Sequence, residues 1–257
     1  MLTAYLQEES VELKNSRKRK AVIVCPGGGY AFCSDREAEV IALNFMAKGI
    51  QGFVLDYSVA TAVFPSALTE LAAAVATVRT HADAWNVDKD QIFVCGFSAG
   101  GHLAASIGTL WQEDFLKEQL REQFGEDNTL WKPNGMILSY PVITLGAFTH
   151  EGSRNNLLRG QMTEEMIEKL SLENRVTEHT PPAFLWHTVA DNAVPVENSL
   201  QFAMALQRQG ISYEMHLFEK GCHGLALCNS ETEASPETLV PDNECWFDMA
   251  VRWLKRQ

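Results

Sequence analysis

The sequence predicts an α/β domain built on a mostly parallel β-sheet with helices on both faces. Three observations carry this. Short continuous apolar runs recur along the chain, as strands buried on both faces require. Segments of helical apolar periodicity separate them, the alternation that parallel crossovers produce. The 257 residues contain no internal repeat, low-complexity tract or linker, so 1–257 is read as one domain.

The elements follow in chain order. Ala21-Val22-Ile23-Val24-Cys25 fits a central strand and breaks into Pro26-Gly27-Gly28-Gly29-Tyr30. A helix is expected from Ser34, where Ser34 and Glu37 have capping-box spacing; Ile41, Ala42 and Phe45 mark its buried face. Gly52 to Asp56 is the next strand. Leu68, Leu71, Ala72, Val75 and Val78 form a helical stripe between Ser66 and about Trp85. Gln91 to Cys95 reads as a buried strand, and Ala99 to Leu110 as the helix after it. Glu113 to Asn134 is polar, a loop with some helix. Gly135 to Tyr140 is a strand closed by Pro141. The segment of about 146–180 has weak apolar periodicity and many polar residues, and reads as an insertion where a lid or pocket wall belongs. Ala183 to His187 and Ser212 to Phe218 are the last strands, separated by a helix lined by Leu200, Ala203 and Leu206. Trp246, Ala250, Trp253 and Leu254 mark a C-terminal packing helix.

Charge and composition exclude several classes. A net charge of −12 argues against a nucleic-acid footprint, and Lys18-Arg19-Lys20 reads as a solvated strand edge. No apolar run approaches bilayer-spanning length, and the N-terminus lacks the basic and apolar regions of a signal peptide; a cytoplasmic protein with no membrane partner is the expectation. The six cysteines lack C-x-x-C spacing, so free thiols and no metal are expected.

Chemistry enters at Gly96-Phe97-Ser98-Ala99-Gly100, which joins a strand to a helix. A serine at such a sharp turn holds a strained backbone and lifts its hydroxyl above the sheet. Side chains two residues before and after it would collide, and Gly96 and Gly100 remove them. The following helix N-terminus supplies positive dipole and free N–H groups where an oxyanion would form. The bland alternative is a glycine-rich turn capping a helix.

A serine hydroxyl needs a base, most often a histidine oriented by a carboxylate. Asp191 follows the strand Ala183–His187, and His223 follows the final strand between Gly221 and Gly224. Taken alone, Asp191 is equally an Asx-turn residue and His223 a surface histidine. Their order after Ser98, each at the end of its own strand, singles them out. Of the other histidines, His102 reads as packing beside Gly101, His187 lies in a strand, and His81, His150, His179 and His216 lack a glycine-flanked loop. Gly28 and Gly29, with the amide of Ala99, are the candidate oxyanion donors. A dinucleotide loop is the competing reading, but G-x-G-x-x-G is absent.

Together these residues resemble the α/β-hydrolase superfamily, and within it the acetyl-esterase group related to bacterial feruloyl and acetylxylan esterases. The resemblance runs from about Ala21 to Leu254. It rests on Pro26-Gly-Gly-Gly-Tyr30, Ser34-Asp-Arg-Glu-Ala-Glu39, Tyr57-Ser-Val59, Gly96-Phe-Ser-Ala-Gly-Gly-His102, Asp191-x-x-Val-Pro195 and Gly221-x-His-Gly224. It implies an α/β-hydrolase fold with a mostly parallel eight-stranded sheet and a short insertion after the sixth strand. It also implies no cofactor, a Ser98–His223–Asp191 acyl-enzyme mechanism, and hydrolysis of short acyl esters, foremost O-acetyl groups of carbohydrates. Lipase-like relatives carry His at the position of Pro26; the proline form is closer to the sugar-esterase branch. The Arg36-Glu37 pair is read either as orienting the glycine loop or as a solvated helix face. A prolyl-oligopeptidase-like peptidase and a catalytically silent small-molecule receptor are the alternatives, and a homo-oligomer stays compatible with the sequence. Trp111 and Trp131 are read as sugar-lining or, more commonly for tryptophan, as core.

Overall fold

A computed structural model describes residues 1–10, 12 and 18–257. In chain order the elements are β1 (Leu2–Tyr5), β2 (Arg19–Cys25), α1 (Glu39–Ala47), β3 (Gln51–Leu55), α2 (Ser66–Thr80), β4 (Val87–Phe97), α3 (Ala99–Leu110), α4 (Asp114–Phe124), β5 (Gly135–Ser139), α5 (Glu151–Leu157), α6 (Glu164–Lys169), β6 (Ala183–Thr188), α7 (Glu197–Arg208), β7 (Tyr213–Phe218) and α8 (Cys245–Arg256). The strands form one sheet in the order β1-β3-β2-β4-β5-β6-β7. Among the described residues only β1 runs antiparallel to its neighbour; every other adjacent pair is parallel.

The period of two in the central strands builds two cores. In β2, Ala21, Ile23 and Cys25 face one layer, while Val22 and Val24 face the other. The first layer is closed by α2, α3 and α7 through Leu71, Val75, Leu103, Ile107, Phe202 and Leu206. The second is closed by α1 and α8 through Ile41, Phe45, Trp246, Ala250 and Leu254. There the rings of Trp186 and Trp246 stack at 4.8 Å. Both faces are therefore apolar, which is why the strands read as continuous runs.

Several expectations are corrected. The sheet has seven strands among the described residues, not eight, and the insertion follows β5, the fifth strand, not a sixth. The strand with no sequence signal is β1, a four-residue edge element with no buried residue to betray its alternation. The capping box at Ser34 does not form. One 3-10 turn spans Asp35–Glu37, α1 starts only at Glu39, and the Ser34 side chain caps nothing. Glu37 is instead 3% exposed and turned into the protein, where it has better partners. The helix expected to reach Trp85 ends at Thr80, and Trp85 packs against Phe53. Trp111 and Trp131 are core residues, 6% and 0% exposed. Among the described residues no helix is long and apolar enough to cross a membrane.

Candidate active site

The parallel strands end along one edge of the sheet, and the loops leaving that edge carry the polar residues. Gly27 to Tyr30 follow β2, Ser98 follows β4, Tyr140 follows β5, Asp191 follows β6 and His223 follows β7. Ser98 sits at φ 52° and ψ −117°, a strained conformation for a residue with a Cβ. Its glycine neighbours are explained by contact. A Cβ on Gly96 would lie 2.1 Å from the Gly100 carbonyl oxygen, and one on Gly100 would lie 2.1 Å from that of Cys25. The turn is clamped by Ser98 N–H donating to Ser139 O and by Val142 N–H donating to Ser98 O, both at 3.0 Å.

His223 bridges the serine and the carboxylate. Its Nε2 lies 2.8 Å from Ser98 Oγ, and its Nδ1 lies 2.7 Å from Asp191 Oδ2. A carboxylate only accepts, so Nδ1 carries the proton and Nε2 of the neutral ring presents a lone pair to the hydroxyl. Asp191 is 1% exposed at its side chain. Its Oδ1 accepts the N–H groups of Ala193 and Val194, each at 2.9 Å. It is thus an Asx-turn residue through one oxygen and the histidine's partner through the other. Burial alone would raise its pKa; hydrogen bonds from His187 and His223, the His223 charge and the Ala193 N–H outweigh burial and hold it well below the usual carboxylate range.

The glycine loop is fixed by its carbonyls. Gly27 O accepts from Ser34 N–H at 3.0 Å, and Gly28 O accepts from Ala31 N–H at 2.9 Å. In a trans peptide the next N–H points the opposite way, so the amides of Gly28 and Gly29 turn away from the loop interior. Gly28 has φ +126°, and a Cβ there would lie 2.1 Å from Phe32 O, so no other residue fits. Gly28, Gly29, Ser98 and His223 line one cavity of about 360 Å³. Ala99 opens α3, where helix geometry gives its N–H no intrahelical acceptor.

Residues outside the triad hold this arrangement, among them the Arg36-Glu37 pair and Tyr140, to which sequence reading gave no role. Glu37 Oε2 accepts the Gly27 N–H at 2.8 Å, and Oε1 accepts the Tyr140 hydroxyl at 2.6 Å. That hydroxyl in turn accepts the Ala226 N–H at 2.9 Å, and the Tyr140 ring meets His223 edge to face at 5.1 Å. Burial and the Glu37 carboxylate push the Tyr140 phenol well above its ordinary pKa, so it remains a donor. Arg36 donates to Gly224 O at 2.8 Å and to Thr232 O at 2.7 Å, tying down the loop beside His223. Of the two readings of Arg36-Glu37, the solvated face is excluded. His187, fully buried, lies 3.2 Å from Asp191 Oδ2. His102 is more than packing: its Nε2–H donates to Leu170 O and its Nδ1 accepts from Tyr30, both at 2.9 Å. From the insertion, His150, Gly152 and Asn156 line the cavity, and Asn156 donates to Gly29 O at 2.9 Å. Gly152, two residues after His150, was the available signal for that histidine.

Residues 10–206 match the family model described as BD-FAE. The chain is 37% identical over 234 residues to endo-1,4-beta-xylanase B of Butyrivibrio fibrisolvens, covering 90% of this chain and 35% of that one. It is 29% identical to an acetylxylan esterase of Xylanibacter ruminicola, covering 81% and 41%. It thus spans well under half the length of both curated relatives. Among solved structures, the acetyl ester-xyloside bifunctional hydrolase of Caldicellulosiruptor lactoaceticus superposes with a TM-score of 0.86 at 36% identity, covering 99% of this chain and 87% of that one. The chain belongs to the BD-FAE family and has the α/β-hydrolase fold.

Proposed function

We propose that this protein is a serine carboxylesterase acting on short acyl esters, foremost O-acetyl groups of carbohydrates. The observation that carries the reading is the unbroken relay from Ser98 Oγ through His223 to a buried, ionised Asp191, at 2.8 and 2.7 Å. Ser98 Oγ attacks the acyl carbonyl while His223 Nε2 takes its proton, and Asp191 stabilises the imidazolium. The amides of Gly28 or Gly29 and of Ala99 receive the negative oxygen of the tetrahedral intermediate. His223 then protonates the departing alcohol, leaving an acyl-serine. Water, deprotonated by the same histidine, attacks that ester and releases the acid.

The acetylxylan esterase and acetyl ester-xyloside hydrolase among its relatives support the acetyl-sugar assignment. The cavity beside Ser98 lends no support to glycoside cleavage, the activity named for the xylanase relative. That chemistry uses two carboxyl groups across the scissile bond. The cavity beside Ser98 is lined by one carboxylate among the described residues, Glu37, and both its oxygens are taken by Gly27 and Tyr140. A panel of acetyl, propionyl and octanoyl p-nitrophenyl esters with aminoacyl anilides tests the reading. Acetyl and propionyl esters are expected to turn over fastest. Preference for octanoyl points to a lipase-like site, and preference for the anilides to a peptidase.

A further inference from the structure

Three side chains lining the Ser98 cavity carry groups that the acyl-transfer machinery leaves unused. Phe32 lines the cavity yet is 60% exposed. Its position is set by its backbone, with its N–H donating to Gly28 O at 3.3 Å. Its ring therefore offers an apolar face to a substrate entering the cavity beside Ser98.

His150 supplies the second observation. Its Nδ1 accepts the Ser153 N–H at 3.2 Å and lies 2.8 Å from Ser153 Oγ. In the neutral ring the proton therefore sits on Nε2, which has no protein partner among the described residues. Burial and the neighbouring His223 push the pKa of this ring down, against a smaller upward pull from Asp191, which favours that neutral form. Arg36 is the third. Its Nε and Nη2 hold Thr232 O and Gly224 O, while Nη1 has no protein acceptor among the described residues.

We propose that Phe32, His150 and Arg36 form the subsite that selects the alcohol half of the substrate, favouring a sugar ring over an alkyl chain. The proposal rests on the esterase reading. On that reading the acyl group is short and the alcohol is the larger part of the ester, so the alcohol is the part assigned to the exposed Phe32 side of the cavity. An alkyl alcohol would cover the ring of Phe32 but leave the Nε2–H and Nη1–H donors desolvated and unpaired, at a cost. A pyranose meets both demands, with an apolar C–H face for the aromatic ring and equatorial hydroxyls as acceptors around its rim.

The test is a ratio: kcat/KM for acetylated methyl β-xylopyranoside divided by kcat/KM for ethyl acetate. Both substrates report the same folded fraction, so the ratio is blind to partial unfolding. Phe32→Ala is expected to lower it at least tenfold, His150→Phe at least threefold, and Phe32→Trp, which keeps an aromatic face, less than threefold. Xylotriose, which has no ester, should inhibit ethyl acetate hydrolysis by the wild type and at least tenfold more weakly in Phe32→Ala. A ratio within twofold of wild type in Phe32→Ala overturns the subsite, as does an equal loss in Phe32→Trp. A wild type that hydrolyses neither ester overturns the esterase reading and the subsite with it. A wild type active on both, with the ratio unmoved, removes the subsite alone.

Discussion

Glu37 and Tyr140 share a buried hydrogen bond of 2.6 Å across 103 residues of sequence, and through it the glycine loop and the His223 loop are held to each other. Tyr140→Phe deletes the hydroxyl and leaves two buried groups, Glu37 Oε1 and the Ala226 N–H, without that partner. Stability should fall by about 1–3 kcal/mol in denaturant titrations. Because both loops border the reacting centre, kcat should fall roughly 10–100-fold. Unchanged kcat with the stability loss present would make the link purely structural.

Asp191→Asn separates the two duties of that side chain. The amide oxygen retains the turn with Ala193 and Val194. An amide nitrogen facing His223 Nδ1 favours the other tautomer, placing a proton on Nε2 against Ser98. The account expects kcat to drop by roughly 10⁴-fold with the fold intact by circular dichroism. A loss under tenfold would remove Asp191 from the relay.

His102 makes stability depend on pH. Burial pushes its pKa down from 6.5 to about 4, partly offset by its bond to Leu170. The unfolded chain then binds a proton that the folded one refuses, so stability is fully present above about 6.5 and declines as pH falls toward about 4. Over that window the loss is about 3 kcal/mol. Asp191 adds a second loss at lower pH, because its folded carboxylate resists protonation that the unfolded one accepts. In His102→Gln the decline between pH 7 and 5 should flatten, read as the difference in urea midpoints. An equal slope in both proteins would contradict this.

Gly100→Ala places a Cβ 2.1 Å from Cys25 O and 2.4 Å from Pro26 O, both backbone atoms that cannot swing aside. Destabilisation of about 3 kcal/mol or more is expected, measured by thermal melting. A variant that melts with the wild type would mean the turn after Ser98 is looser than described.

The strands before Ser98 and Asp191 were legible as apolar runs, Ile92 to Cys95 and Ala183 to Trp186, whereas β7 before His223 alternates polar and apolar residues as a half-covered edge strand does. The limits of α3, Ala99–Leu110, were legible because small residues begin at the turn and the apolar face continues. The two-faced sheet followed from the same runs. Glu37 was not legible in full: its spacing from Ser34 matched a local cap, and only tertiary burial beside Gly27 and Tyr140 decided against it. The edge strand β1 was silent because pairing with Leu55, Val54, Phe53 and Gly52 leaves its side chains half-covered. Gly152 was the one local cue for His150, and nothing in the sequence showed that the insertion would dock it against the glycine loop.

Covalent labelling tests the central claim most directly. The wild-type protein is treated with diisopropyl fluorophosphate, weighed intact by mass spectrometry, and digested to locate the adduct. One diisopropylphosphoryl group per chain, on Ser98 and absent from Ser98→Ala, is the predicted result. An unlabelled wild type, or an adduct on another residue that persists in Ser98→Ala, would contradict the account.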